Sequence, residues 1–272
     1  LFELGQKSLL QATEFYGRYL TYFNAQKDSE EIRFKKAEAH FENGQFALAA
    51  HDYNAVGYNE ENHFNKKSGY KLANKSAYAS IVAHQKQLDT LTKGHDPKNE
   101  STENESSEIK AWRTETLTSL LKFASTYHKD ERSVSVLTNA SQTLFALNEY
   151  DQAISIATDL VNKAGKNNPQ LKKTAYGIIA QSYFKKANYT LAQSNYIAQR
   201  KLTKKNSAEY TDISKQLAVA TYKQAEFLQQ DQQLTEAVRT EKAIITLLSL
   251  KQLAPNTNIR IIAQYDASSL ML

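Results

Sequence analysis

HFENGQFALAAHDY, His40 to Tyr53, returns twice without a gap, as LFALNEYDQAISIA from Leu144 to Ala157 and as YFKKANYTLAQSNY from Tyr183 to Tyr196. In each copy an aromatic stands at the second position, a short turn follows, and a second aromatic, Phe46, Tyr150 or Tyr189, opens the next run. A small residue comes three later at Ala49, Ala153 or Ala192, and Tyr53, Ala157 or Tyr196 lies four beyond it. Four residues before the first aromatic the residue is small again: Ala37, Ser141 and Ala180. Two antiparallel helices joined by a tight turn approach closely only where small side chains face one another, and aromatics then fill the space to the next pair. A weaker fourth copy places Ala225 in its first helix and Ala237 in its second, with Glu241 where the last aromatic would stand. Tyr53, Tyr150, Tyr183, Tyr189 and Tyr196 fall on pattern positions and are expected in the core.

Outward from these copies, apolar residues recur at spacings of three and four through nearly the whole chain. The periodicity predicts helices over 3–24, 29–43, 45–57, 62–90, 108–127, 131–147, 149–164, 169–186, 189–203, 207–230, 233–252 and 257–271. Start signals are Ser29 before Glu30 and Glu31, Asp130 before Glu131, Asn168 before Pro169, and Asn206 facing Glu209 as a capping box. Pro255 supplies a stop. Average usage over this length would give about 19 glycines and about 14 prolines. The chain has 8 and 3, which leaves little for a β-fold needing a turn every few residues or for Gly-rich cofactor loops. The expected class is therefore all-α, a superhelical solenoid of antiparallel helix pairs.

The one clear break is TKGHDPKNESTENESS, Thr92 to Ser107, which has no large apolar residue and is expected to be a solvated, disordered insertion. Its Asn99 and Asn104 head glycosylation-type triplets of a kind that arises readily in Asn/Ser-rich sequence. The organisation expected is N-terminal helices over 1–91, the insertion at 92–107, and C-terminal repeats over 108–272, all in one solenoid. The sole methionine is Met271 and position 1 is Leu, so the sequence reads as a piece of a longer protein.

This alternation of small and aromatic residues resembles the tetratricopeptide repeat, over about 30–57 and 130–250. Spacings of 39 and 45 residues between Ala153, Ala192 and Ala237 exceed the usual length of about 34. Long-helix repeats of this kind are similar to those of extracytoplasmic tetratricopeptide proteins of Gram-negative bacteria, which implies a periplasmic or outer-membrane-associated location, with the cytoplasm as the other setting. RIIAQYDASSLML, Arg260 to Leu272, resembles the first helix of a further repeat. The resemblance implies that first helices line a concave groove for a peptide or partner helix. The groove position just after the small mid-helix residue is then Glu38, Gln142, Gln181 and Glu226, with Lys185 four residues beyond Gln181. The Lys and Asn pair with which chaperone-tail-binding members hold a C-terminal carboxylate is absent from these positions.

Chemistry-bearing motifs are scarce. Cysteine is absent, and His40, His51, His63, His84, His95 and His128 form no HExxH, although His40 and His51 lie on adjacent helices. No GxxxxGK, GxGxxG or GxSxG occurs. No catalytic, cofactor-binding or metal-binding residue is assigned, and no cofactor is expected. With 34 basic and 29 acidic residues the net charge is +5, and a groove row holding Glu38 and Glu226 does not suit nucleic acid. No apolar run has the length of a membrane span. The run Arg200-Lys201-Leu202-Thr203-Lys204-Lys205 closes a helix where cations suit the macrodipole, and an acidic partner is the sharper alternative. Trp112 opens an apolar helix face with Leu117, Leu120, Leu121 and Phe123 and is expected to anchor packing. The function expected is a non-enzymatic scaffold for a protein or peptide partner, in a cell-envelope complex. The alternative is a regulatory or substrate-presenting domain of a longer enzyme. Apolar ends at Leu1, Phe2 and Leu4 and at Leu270, Met271 and Leu272 imply end-to-end self-association.

Overall fold

A computed structural model describes residues 2–24, 26, 28–58, 72–93, 106–164 and 168–272. Among them are α1 (Phe2–Tyr22), α2 (Ser29–Glu42), α3 (Phe46–Tyr58), α4 (Ala73–Leu91), α5 (Ser107–Thr126) and α6 (Ser133–Ala146). They continue as α7 (Tyr150–Lys163), α8 (Pro169–Lys185), α9 (Tyr189–Lys201), α10 (Ala208–Gln229), α11 (Glu236–Leu253) and α12 (Asn258–Leu270). No strand occurs among the described residues. The fold is all-α, and within each unit helices adjacent in the chain pack on one another as antiparallel pairs. Residues 62–71 of the helix expected from 62, most of the 92–107 insertion with its two triplets, His63, His95, Leu1, and the side chains of Phe2 and Leu4 lie outside the described residues. The chain gathers into two compact units, Leu1–Val136 and Leu137–Leu272, the division falling within α6.

Three turns explain why the copies align. After α2, the amide of Gly44 donates to the Phe41 carbonyl at 3.0 Å and that of Gln45 to the His40 carbonyl at 2.9 Å. Asn148 and Glu149 repeat the pattern on Phe145 and Leu144 after α6, as do Ala187 and Asn188 on Phe184 and Tyr183 after α8. This paired closure is the Schellman motif, whose penultimate residue is left-handed. Gly44, Asn148 and Ala187 accordingly have φ of 74°, 63° and 55°. Across each turn the aromatics meet: Phe41 with Phe46 at 5.2 Å, Phe145 with Tyr150 at 5.6 Å, and Phe184 with Tyr189 at 5.4 Å between centroids. Tyr150, Tyr183 and Tyr189 are therefore half-buried at the pair ends, whereas Tyr53 and Tyr196 are in the core as expected.

Ala37, Ala49, Ser141, Ala153, Ala180 and Ala192 are all solvent-inaccessible, as helix-to-helix contact requires. In the first unit, Phe34, Ala37, Ala49, Ala50, Tyr53, Val56 and Ala83 form one core, with the Phe34 and Tyr53 rings 5.7 Å apart. Gly57 brings α3 against α4: a Cβ there would stand 2.7 Å from the backbone nitrogen of Ala77. In the second unit, Ala192 and Tyr196 pack with Ala180, Ile213, Leu217 and Ala220. The fourth copy departs from its expected register. Ala237 is exposed, and Ala243 is the small residue that packs with Ala225, because Gln230 to Thr235 make a longer connection that delays the start of α11.

Helix starts are mixed. Asn168 caps α8 by accepting from the Leu171 amide at 3.2 Å, and α11 ends before Pro255. Ser207 rather than Asn206 caps α10, since Asn206 occupies the left-handed region and its neighbour's hydroxyl reaches the Tyr210 amide. Ser29 and Ser133 do not cap; each donates to a carbonyl six residues earlier, Phe23 and Tyr127, at 2.5 Å. Asp130 turns to Arg132 and Asn74 instead of opening a helix, and the Arg132 guanidinium holds its carboxyl well below the usual carboxylate range.

A candidate partner-docking face

Glu38, on α2, is exposed and stands 3.6 Å from Lys75 of α4, a contact between two first helices of the first unit. The Lys75 ammonium also lies 4.4 Å from the centroid of the Phe34 ring. In the second unit, Gln142 on α6 and Lys185 on α8 are exposed, while Gln181 is half-buried. Glu226 on α10 meets Lys223 at 2.6 Å. Among the described residues no hydrogen bond or ion pair links any two of these five positions. What distinguishes Glu226 is its setting.

It borders a cavity of about 330 Å³ built by α10, α11 and α12 and lined by Tyr222, Ala225, Glu226, Gln229, Leu247, Asp266, Ser269 and Leu270. The helical repeat makes this geometry: Tyr222, Ala225, Glu226 and Gln229 recur at spacings of three and four along one face of α10. Small Ala225 and Ala267, each buried, let α10 and α12 approach α11, whose Leu247 closes the floor. Across the cleft the Tyr222 hydroxyl donates to Asp266 Oδ2 at 2.5 Å. That bond and burial push the phenol up to about 12, so it remains a donor at neutral pH. Asp266 and Tyr222 were not singled out by sequence. The rule that picked Glu226, the residue just after a small one, misses Asp266, which stands just before buried Ala267.

The other candidate groups serve packing. Arg200, from the basic run, donates to the Leu253 carbonyl at 2.5 Å and lies 5.5 Å from the Tyr210 ring centroid, beside a second cavity of about 260 Å³. His40 and His51 do converge, but on buried Asp52, at 3.7 Å and 3.9 Å, alongside Lys36 at 3.0 Å and Arg33 at 3.6 Å. Among the described residues no group of three or more His, Cys, Asp or Glu is arranged to hold a metal ion. Trp112 packs on His84, their rings 5.8 Å apart, and burial pushes that imidazole below its usual value against the Ser80 carbonyl and Glu115.

No family model matches the sequence, and no curated protein matches it. Among solved structures the chain is similar to the C-terminal part of a TPR repeat-containing protein from Cytophaga hutchinsonii, at 15% identity and a TM-score of 0.38, over 97% of this chain and 96% of that one.

Proposed function

We propose that the chain is a non-enzymatic repeat scaffold that docks a protein or peptide partner on the faces of its first helices, as part of a cell-envelope complex. The observation that carries this is the cleft beside Glu226, where helices of successive pairs leave a concave, mixed polar and apolar surface uncovered. Glu38, Gln142, Gln181, Lys185 and Glu226 are the partner-facing positions in this reading. The envelope location is supported by the resemblance to long-helix extracytoplasmic repeats, and no described helix is long and apolar enough to cross a membrane. Fractionation of the native cell tests the location.

The docking reading is tested by affinity capture from native-cell extract, comparing the wild-type chain with Glu38→Lys/Glu226→Lys, each melted in parallel. Both glutamates are solvent-accessible and held by single lysines, so folding is expected to shift by no more than about 0.5–1 kcal/mol. Loss of a captured partner at an unchanged melting midpoint is the expected outcome. Undiminished capture by the double variant overturns this docking face.

A further inference from the structure

We infer that the α10–α11–α12 cleft is a receptor for one arginine side chain of a partner polypeptide. The inference rests on the docking reading and adds to it the chemistry of what is held. The floor is apolar and nearly inaccessible, with Ala225 at 1% and Leu247 at 3% exposure, which suits the methylene stem of a long side chain. The lining also carries side chains with acceptor oxygens: the carboxylates Glu226 and Asp266 from α10 and α12, with Gln229 and Ser269 beside them. None of the lining residues carries a positive charge.

Glu226 already holds a cation, the Lys223 ammonium at 2.6 Å. That pair is half-exposed and spaced i, i+3, so it is easily exchanged for an incoming cation. Asp266 is oriented by the Tyr222 hydroxyl, which uses one of its oxygens as an acceptor. Acceptors spread over two helices and an aromatic wall favour a guanidinium, with five donors in a planar fork and a face that stacks on tyrosine, over a compact ammonium. On a chain of net charge +5, Glu226 and Asp266 give this cleft acidic walls, which favour a basic over an acidic segment.

The test titrates the isotope-labelled full chain with N-acetyl-arginine amide and, in parallel, N-acetyl-citrulline amide, which keeps the shape and loses the charge. The arginine probe is expected to shift the amide signals of Ala225, Gln229, Leu247 and Ser269 saturably. The citrulline probe should bind at least about tenfold more weakly, as should the arginine probe to Glu226→Gln/Asp266→Asn. The Asp266→Asn change keeps an oxygen for Tyr222, so a melting curve separates lost charge from lost fold. Equal binding of the two probes, unchanged binding by the double variant, or no saturable shift at these amides overturns the inference. If a partner is captured from extract with undiminished strength by Glu226→Gln/Asp266→Asn, the arginine receptor falls while the scaffold stands. Selective arginine binding without any partner capture leaves the receptor standing and removes the scaffold.

Discussion

Ala187 holds the same left-handed turn position as Gly44 and Asn148, with φ of 55°. An alanine there brings its Cβ close to the following carbonyl, at a cost of about 1–2 kcal/mol that glycine avoids. Ala187→Gly is therefore expected to raise stability by about 1 kcal/mol, read as a higher urea midpoint with an unchanged slope. A fall in the midpoint would show that the larger unfolded-state entropy of glycine outweighs the strain at this position. His84 makes a second residue-scale case. Its folded-state affinity for a proton lies below that of the unfolded chain, whose imidazole titrates near about 6.5. The contribution of the neutral ring is then fully present above that value and is lost as pH falls through it. Between about pH 7 and about pH 5, wild type should lose more of its melting temperature than His84→Gln, which does not titrate. Equal slopes for the two proteins would place the acid sensitivity elsewhere.

At the scale of helix pairs, Ala192 tests whether the copies are aligned correctly. It is solvent-inaccessible between α8, α9 and α10. Ala192→Leu should cost about 1–3 kcal/mol by overpacking, and an unchanged midpoint would refute the alignment. Small and aromatic positions made this arrangement legible without coordinates, because tight pairing leaves few residue choices at Ala37, Ala49, Ala180 and Ala192. Where the sequence misled, the determinant was longer-range or competitive. Ala237 looked equivalent to Ala192, but connection length decides register, and nothing local to Ala237 reports that six residues, Gln230 to Thr235, intervene. Ser29 and Asp130 carried cap chemistry, yet a carbonyl at Phe23 and a guanidinium at Arg132 competed for them. The proposed docking positions Glu38 and Glu226 were readable as polar residues beside buried alanines. The cleft was not, because Asp266 meets Tyr222 only through the packing of helices 44 residues apart in sequence.

At the scale of the whole molecule, exposed apolar side chains among the described residues occur on several helices, Phe15 and Tyr22 of α1 and Ile245 of α11 among them. Ile261, Ile262 and Tyr265, on one side of α12, are 58%, 52% and 74% exposed, and of the end residues expected to be sticky Met271 and Leu272 are exposed while Leu270 packs partly against the core. Self-association is accordingly expected to run through α12, as a sedimentation coefficient that rises with concentration. The variant Ile262→Lys/Tyr265→Lys should sediment as a monomer at every concentration, and a wild type that does the same would remove the expectation. The single tryptophan has a different consequence. Trp112 lies in the Leu1–Val136 unit, so indole emission is an optical reporter of that unit alone, while far-ultraviolet ellipticity sums both. A denaturation followed by the two signals at once therefore weighs the cooperativity of the halves without a label, and His84, 5.8 Å from the indole, tunes the brightness of that lamp with acidity.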